Sequence, residues 1–292
     1  MPVLNNTKVP KELEKEICDL YLSGIRAFSG IALKYNCSSS NIRNICIRNG
    51  VFTPEKRSRI KCDDNYFEII DSPEKSWLLG LICADGHISK NKCLVLKFNI
   101  KDIELLEKVN FLLKSEYKIS QNNILDKRTN KIYSHCVLMI YKDKLADDLK
   151  KLGIDNTKSE KLNIPEIPEH LLKYYVRGFS DGDGGFYINE KNIIQYKLST
   201  SSVGFLEQIE EYLRNKCDLK KLDIRFDSGC FRLNYTDTYS VQKIFDYLYS
   251  DLDNDLYLKR KYLYAKTYFD NSNNGVKTRN YFDNPVSQYQ II

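Results

Sequence analysis

Hydrophobic residues recur at helical spacing in three short runs at the start of the chain. The first run, KELEKEICDLYLSG, places Leu13, Ile17 and Leu20 on one helical face and ends at Gly24. AFSGIALKY predicts a second helix. SSSNIRNICIRNGV predicts a third, with serines available as N-cap and a glycine near its end. The pattern predicts a small all-α domain over residues 1–55.

The link between the second and third helices contains Asn36, and asparagine tolerates the left-handed backbone that a tight turn needs. This spacing resembles a helix-turn-helix DNA-binding domain, whose last helix enters the major groove. The resemblance nominates five DNA-contacting residues on the third helix: Ser39, Ser40, Arg43 and Asn44 as base readers, and Arg48 on phosphate. A generic helical cap or protein-interaction module is the alternative. The basic run KRSRIK opens a predicted linker over residues 56–65, and it suits a phosphate backbone.

The rest of the chain contains a diverged internal repeat. DSPEKSWLLGLICADGHIS (71–89) has a counterpart in EIPEHLLKYYVRGFSDGDGGFYI (166–188), and the acid-glycine pairs near their ends are 98 residues apart. KFNIKDIELLEKV lines up with KLSTSSVGFLEQI at an offset of 100, and CVLMIYKD with CFRLNYTD at an offset of 94. These matches predict a duplication, with copies over residues 66–165 and 166–270. Residues 271–292, beginning NSNNG, are expected to form a disordered tail.

Each copy shows the same order of elements: a motif helix, a hairpin, an amphipathic helix, a second hairpin and a closing helix. The chain is therefore predicted to be α+β, with two αββαββα repeats after the small helical domain. A solvated face is the ordinary reading of polar residues on one strand, but four such hairpins favour a β-saddle for nucleic acid. The residues predicted to contact it are Lys97 and Asn99 in the first copy and Gln195, Lys197, Ser199, Arg225, Arg232 and Asn234 in the second.

The charge distribution also favours a polyanionic partner. The chain has 292 residues and a net charge of +6. Residues 1–62 hold eleven Lys or Arg against five acids, so the remainder is neutral. No apolar run is long enough for a membrane helix and no signal peptide is present, so we expect an intracellular protein without membrane contact. Nine cysteines without CxxC pairs indicate reduced thiols, and three histidines disfavour zinc.

Small residues inside the two motif helices predict how their acids come together, because glycine in a helix costs about 1 kcal/mol relative to alanine and needs a reason. The small residues lie four apart: Gly80 and Ala84 in the first helix, and Gly178 and Gly182 in the second. If these smooth faces pack together, Asp85 and Asp183 emerge side by side at the C-terminal helix ends, where the dipole and mutual repulsion disfavour anions. A cation resolves this conflict. Oxygen ligands favour Mg²⁺ or Mn²⁺, as used in phosphodiester hydrolysis.

Either motif alone indicates no more than a helix C-cap turn, whereas the pair in register favours a metal site. WLLGLICADG and YVRGFSDGDG resemble the two motifs of the LAGLIDADG homing endonucleases in their single-chain form. The resemblance covers residues 66–270. It implies pseudo-two-fold symmetry, motif helices at the centre and a β-saddle over double-stranded DNA. It also implies a metal-dependent cut of both strands across the minor groove, leaving short 3′ overhangs, by a monomer on a long asymmetric site.

The resemblance assigns roles residue by residue. Asp85 and Asp183 match the metal-binding acids, and the carbonyls of Ala84 and Gly182 match the backbone ligands. A further basic residue is expected near each scissile phosphate. The segments YLKRKYLYAKTYF and LGIDNTKSEKLNIP nominate these residues: Lys261, with Lys259 as alternate, from the first segment, and Lys158 from the second.

Two positions depart from the family's pattern. Cys83 stands where the first acid of the motif is usual, and Arg177 stands where a small residue is usual. Two other functions remain open: a non-catalytic helix-turn-helix regulator and an intron RNA maturase. The presence of both Asp85 and Asp183 argues against the regulator, and the sequence does not separate the endonuclease from the maturase.

Overall fold

The computed structural model describes residues 9–25, 27–53, 59–126, 130–154, 162–252 and 255–273. The chain divides into two compact units, Met1–Arg59 and Ile60–Ile292. The division falls inside the basic segment that the sequence suggested as a linker.

The described residues of the smaller unit form three α-helices, α1 (Glu14–Leu22), α2 (Phe28–Lys34) and α3 (Ser39–Arg48), with a 3-10 turn over Lys11–Leu13 before α1. Its core is an apolar cluster made of Ile17, Cys18, Ile31, Ala32, Cys37, Ile42, Ile45 and Cys46. Ser38 caps α3, since its Oγ accepts a hydrogen bond from the Asn41 amide at 3.2 Å. Asn36 has a φ of 47°, so the left-handed turn predicted between α2 and α3 is confirmed.

The larger unit contains two copies of the same run of elements. The first copy comprises α4 (Pro73–Asp85), β1 (Gly86–Ile88), β2 (Cys93–Asn99), α5 (Ile103–Leu112), β3 (Ser120–Asp126), β4 (Lys131–Tyr141) and α6 (Asp143–Lys151). The second comprises α7 (Leu172–Asp183), β5 (Gly184–Ile188), β6 (Ile194–Thr200), α8 (Val203–Cys217), β7 (Arg225–Asp227), β8 (Cys230–Tyr235) and α9 (Thr238–Leu248). The predicted α+β fold with tandem αββαββα repeats is confirmed.

A further helix, α10 (Lys259–Asn273), follows the second copy. The sequence placed the start of a disordered tail at residue 271, and this boundary is wrong because α10 continues through residues 271–273. The rest of the predicted tail lies outside the described residues.

Each repeat builds one four-stranded antiparallel sheet. The strand order is β1-β2-β4-β3 in the first sheet and β5-β6-β8-β7 in the second. The apolar side chains of both sheets and of their helices form one continuous core, in which Trp77, Phe179 and Phe205 are among the largest fully buried side chains. All nine cysteines are free thiols, as the sequence predicted, and seven of them are buried.

Strand pairing corrects the alignment of the two repeats. The glycine after each motif acid pairs with a residue of the next strand, which in turn pairs with a residue of the strand beyond. This row is Gly86, Leu96 and Leu138 in the first repeat, and Gly184, Leu198 and Leu233 in the second. The offset between equivalent residues is therefore 102 in the central strand and 95 in its neighbour. The offset of 100 read from the sequence holds for α5 and α8, where the buried Leu105, Leu106 and Val109 match Phe205, Leu206 and Ile209. For the central strands it is two residues too short, and the offset of 94 is one residue too short for the neighbouring strands. A one-residue error matters, since it moves a side chain to the opposite face of the sheet.

Candidate active site

The two motif helices pack backbone to backbone through their glycines. A Cβ atom built on Gly80 would lie 2.9 Å from the carbonyl carbon of Tyr175, and one built on Gly178 would lie 2.9 Å from that of Trp77. Both distances are too short for any side chain, so only glycine permits this approach. The contact is reciprocal, with equivalent residues exchanging roles, as pseudo-two-fold symmetry requires. The close helix packing predicted from the sequence is confirmed.

The C-terminal ends of α4 and α7 meet at the acids. A Cβ atom built on Gly182 would lie 2.5 Å from Oδ2 of Asp85 and would also collide with the side chain of Ala84. The Asp85 carboxylate therefore lies against the last turn of α7, one residue before Asp183. Asp85 is half-buried and Asp183 is exposed. The structure thus brings together four residues that the sequence named for a metal site.

Lys261, on α10, points its ammonium group at the end of α7. Its Nζ lies within hydrogen-bonding distance of four backbone carbonyl oxygens, those of Ser180 (3.1 Å), Asp181 (2.8 Å), Gly182 (3.3 Å) and Gly184 (2.7 Å), which share its three N–H groups. A positive charge is favourable there, because the carbonyl end of a helix carries partial negative charge. Burial lowers the pKa of Lys261, and the negative charges of Asp181 and Asp85 act against that lowering. Lys261 therefore contacts the end of α7. Its predicted position near a scissile phosphate stays a prediction.

The other two nominated lysines differ from Lys261. Lys259 is an exposed residue whose Nζ lies 3.5 Å from the Asp255 carboxylate, so it is a surface ion pair. Lys158 lies outside the described residues, and its predicted role stays a prediction.

Asp181 is a buried acid of the site that the sequence reading did not nominate. Its Oδ2 accepts a hydrogen bond from Nε1 of Trp77 at 2.9 Å. Burial raises the pKa of Asp181 to about 6, although the Trp77 hydrogen bond and the charge of Lys261 favour the ionised form. The signal was present in the motif, since Asp181 is the first acid of SDGDG and matches the position of Cys83.

Cys83 occupies the equivalent place on α4. Its Sγ lies 3.1 Å from the hydroxyl of Tyr175, which donates a hydrogen bond to the sulfur. Cys83 and Asp181 thus have equivalent aromatic donors from the opposite helix. The two hydrogen bonds differ in strength, because the Cys83 thiol is a weak acceptor and the Asp181 carboxylate is a strong one.

The other departure from the family's pattern, Arg177, is fully buried. Its guanidinium lies 2.7 Å from the Asp251 carboxylate and donates to the Leu256 carbonyl at 3.3 Å. It also lies over the rings of Tyr174 and Tyr249, 5.2 and 5.5 Å from their centroids. Arg177 therefore links α7 to the segment between α9 and α10. Its positive charge is balanced by Asp251, and its side chain takes no part in the glycine contact between α4 and α7.

The oxygen atoms at the helix ends suit Mg²⁺ or Mn²⁺ better than zinc or copper, which take His or Cys ligands. Among the described residues, no group of three or more His, Cys, Asp or Glu side chains could hold a metal. The donors are instead two carboxylates, Asp85 and Asp183, with backbone carbonyls beside them. Mg²⁺ is commonly bound by one or two carboxylates together with water and substrate phosphate oxygens.

The polar residues predicted to contact nucleic acid share one face of the second sheet. Lys197 pairs with Asn234, Ser199 with Arg232, and Arg232 with Arg225. Paired residues lie on the same face, and Gln195 joins them by alternation along β6. Arg232 is also ion-paired with Asp227. Burial, and secondarily the nearby Arg232, lower the pKa of Lys197. In the first sheet, Lys97 and Asn99 are exposed on β2.

In the smaller unit, the predicted readers of α3 lie at its surface. Ser39, Ser40, Arg43 and Asn44 are all exposed. Arg48 is exposed too, but it makes two hydrogen bonds to Glu14 of α1, one of them at 2.9 Å from Nε. These bonds lower the pKa of Glu14 to about 2. Arg48 therefore holds α1 against α3 in addition to the phosphate contact predicted for it.

One family model matches part of the chain. Residues 72–153 match the family model of the LAGLIDADG-like domain. No curated protein matches the chain. Within the described residues, no helix is both long and apolar enough to span a membrane.

Several solved structures are similar to the chain. They include the homing endonuclease I-WcaI bound to its DNA recognition sequence (16% identity, 68% of this chain, 90% of that chain, TM-score 0.47). The I-SmaMI LAGLIDADG homing endonuclease bound to cleaved DNA is also similar (15% identity, 71% and 92%, TM-score 0.47). A third is the N-terminal LAGLIDADG domain of DUF199/WhiA (14% identity, 64% and 89%, TM-score 0.41). At these identities and TM-scores, the similarities support no inference about activity.

Proposed function

We propose that this chain, whose residues 72–153 belong to the LAGLIDADG-like domain family, is a site-specific endonuclease that hydrolyses both strands of double-stranded DNA. The target is a long asymmetric site, because the two sheets carry different side chains. The reaction depends on a divalent metal, Mg²⁺ or Mn²⁺.

One observation carries this proposal. The glycine contacts between α4 and α7 place the Asp85 carboxylate against Gly182, next to Asp183. Carboxylates and backbone carbonyls therefore lie together at the ends of two helices. Such oxygen atoms are the ligands that Mg²⁺ and Mn²⁺ take in proteins.

The residues divide the chemical work. Asp85 and Asp183, with the carbonyls of Ala84 and Gly182, would hold the metal. The bound metal would supply an activated water and stabilise the charge that develops on the phosphate. Lys261 keeps the last turn of α7 in place and offsets the negative charge at the helix end. Asp183 is exposed and therefore accessible to a phosphate group from solvent.

The DNA contacts are assigned to two separate surfaces. The outer faces of the two sheets suit the major groove, which admits a two-stranded β-ribbon. The exposed face of α3, with Arg43 and Asn44, suits a second DNA segment as the recognition helix of a helix-turn-helix domain. The smaller unit would thus lengthen the recognised site.

The two alternatives make different predictions. A non-catalytic regulator binds a DNA sequence without cutting it, and an intron maturase promotes RNA splicing with its outer sheet faces. No observation in the described residues favours either of them over the endonuclease.

The test is cleavage of a library of random duplex sites in Mg²⁺. The native chain is expected to cut a specific sequence on both strands. Asp85→Asn and Asp183→Asn are each expected to lower double-strand cleavage about a hundredfold or more. Asp223→Asn, which changes an exposed acid outside the site, is the matched control and should cut like the native chain. Binding of a specific duplex without cutting would support the regulator, and splicing of an intron RNA would support the maturase.

A further inference from the structure

The outer faces of the two sheets differ at three equivalent positions beside the site. Strand pairing aligns the repeats through the glycine that follows each motif acid. The residues of the central strands that flank that row on the outer face are Val95, Lys97, Val137 and Met139 in the first sheet and Lys197, Ser199, Arg232 and Asn234 in the second. Lys97 and Ser199 are equivalent, and both are polar. The other three positions are apolar in the first sheet (Val95, Val137 and Met139, named the apolar triad) and polar in the second (Lys197, Arg232 and Asn234, named the polar triad). The repeats share a fold, but their outer faces differ in chemistry.

The apolar triad is a single patch. Val95 and Met139 are directly paired across β2 and β4, and Val137 lies two residues from Met139 on the same face. Met139 is 40% exposed, and both valines are half-buried. Their neighbours are polar, since His87 pairs with Val95 and Lys97 pairs with Val137. The patch therefore lies within a face that also carries a positive charge.

A duplex offers few apolar groups to such a patch. In the major groove, thymine presents its C5-methyl group, whereas guanine presents the N7 and O6 acceptors. Apolar side chains favour the methyl group, and Lys or Arg favour the guanine acceptors. Arg232 retains free donors despite its ion pair with Asp227, because a guanidinium has five N–H groups.

On the basis of the proposed function, we propose that the two halves of the DNA site differ in base composition in the same way as the triads. The half under the first sheet carries thymines against Val95, Val137 and Met139. The half under the second sheet carries guanines against Lys197 and Arg232. DNA is the occupant that fits, because the apolar triad continues the face that carries Lys97 and Asn99.

The test begins with selection of bound duplexes from a random pool by the full chain, in EDTA-containing buffer that prevents metal-dependent cutting. The enriched site is then resynthesised with uracil in place of thymine, one half at a time. We expect uracil in the first half to weaken binding about fourfold for each contacted methyl group, equivalent to ~0.8 kcal/mol. Uracil in the second half should leave the affinity unchanged. There, 7-deazaguanine should weaken binding about fivefold or more.

Two variants identify the half that the first sheet reads. Met139→Asn introduces the residue type of Asn234, which occupies the equivalent position in the second sheet. This variant should reduce the loss of affinity caused by uracil in one half of the site and leave the other half unchanged. Met139→Leu keeps an apolar side chain and should preserve the effect. Because Met139 is partly exposed, both variants should fold, which circular dichroism would verify.

Several results would overturn the inference: no enriched sequence, equal uracil effects in the two halves, or an uracil effect that Met139→Asn does not change. Loss of self-association of the chain in Met139→Asn, with DNA binding unchanged, would assign the patch to a second copy. Failure of the proposed function has a separate signature, which is an enriched duplex that the native chain does not cut after Mg²⁺ is added.

Discussion

Trp77 donates a hydrogen bond from its indole Nε1 to Asp181 Oδ2 at 2.9 Å, across the contact between the two motif helices. The equivalent bond in the other direction runs from the Tyr175 hydroxyl to the Cys83 sulfur at 3.1 Å. The helices are therefore joined by two related bonds of unequal strength, next to their closest backbone approach.

This inequality predicts different stability losses. Trp77→Phe leaves the buried Asp181 carboxylate without its indole donor, so the free energy of unfolding should fall by about 1–3 kcal/mol. Tyr175→Phe removes a bond to a weak acceptor and should cost about 1 kcal/mol or less. Urea unfolding of the two variants measures the difference. Equal losses in the free energy of unfolding would show that the Trp77 hydrogen bond is no stronger than the Tyr175 hydrogen bond.

The glycine contact predicts that two glycine-to-alanine substitutions change the stability of the chain in opposite directions. Gly80→Ala places a methyl group 2.9 Å from the Tyr175 carbonyl carbon, so the helices must separate. The stability loss should be about 3 kcal/mol or more, because backbone atoms cannot give way as side chains do. Gly204→Ala is the control, since a Cβ atom there meets nothing within 4 Å on α8. It should stabilise the chain by up to about 1 kcal/mol, and destabilisation comparable to that of Gly80→Ala would contradict the packing argument.

Lys261 and Lys259 provide a matched pair on one helix. Lys261→Met removes an ammonium group that lies within hydrogen-bonding distance of four carbonyls at the end of α7. We expect a stability loss of about 2–3 kcal/mol and slower cleavage, because Asp183 lies on that turn. Lys259→Met alters an exposed ion pair and should change stability by about 0.5 kcal/mol or less. Thermal unfolding and cleavage rates measured for both variants test this, and indistinguishable behaviour of the two would exclude a helix-end role for Lys261.

The ion pair between Arg48 and Glu14 predicts a pH effect in the smaller unit. The pKa of Glu14 is lowered from 4.5 to about 2, chiefly by the hydrogen bond from Arg48. A lowered folded-state pKa means that this stabilisation is present above pH 4.5 and is lost as the pH falls toward 2. An NMR titration of the Glu14 carboxyl carbon should show a midpoint near 2 in the native chain and a higher midpoint in Arg48→Met, in which Asn49 still donates to the carboxylate. A native midpoint near 4.5 would mean that the pair does not persist in solution.

Local patterns made much of the fold predictable from the sequence. Asn36 indicated a left-handed turn, and the spacing of Gly80 and Gly178 indicated two helices in close contact. These signals lie within a few residues of the feature that they determine. The repeat was also visible, because both motifs keep the same order of glycine and acid.

Contacts between distant residues were not predictable. Trp77 and Asp181 are 104 residues apart, and Arg177 and Asp251 are 74 apart, so no local pattern connects them. The alignment of the second hairpins was wrong by one residue, because the pairing of Leu96 with Leu138 and of Leu198 with Leu233 joins residues far apart in the sequence. That error concealed the difference between the apolar and polar triads.

The most direct test of the proposed endonuclease follows each strand separately. A duplex with distinguishable labels on its two strands is incubated in Mg²⁺ with the native chain, Asp85→Asn, Asp183→Asn and the Asp223→Asn control. The proposal predicts that the native chain and the control cut both strands, and that each motif variant fails to complete the double-strand break. Native rates on both strands for Asp85→Asn and Asp183→Asn would contradict it.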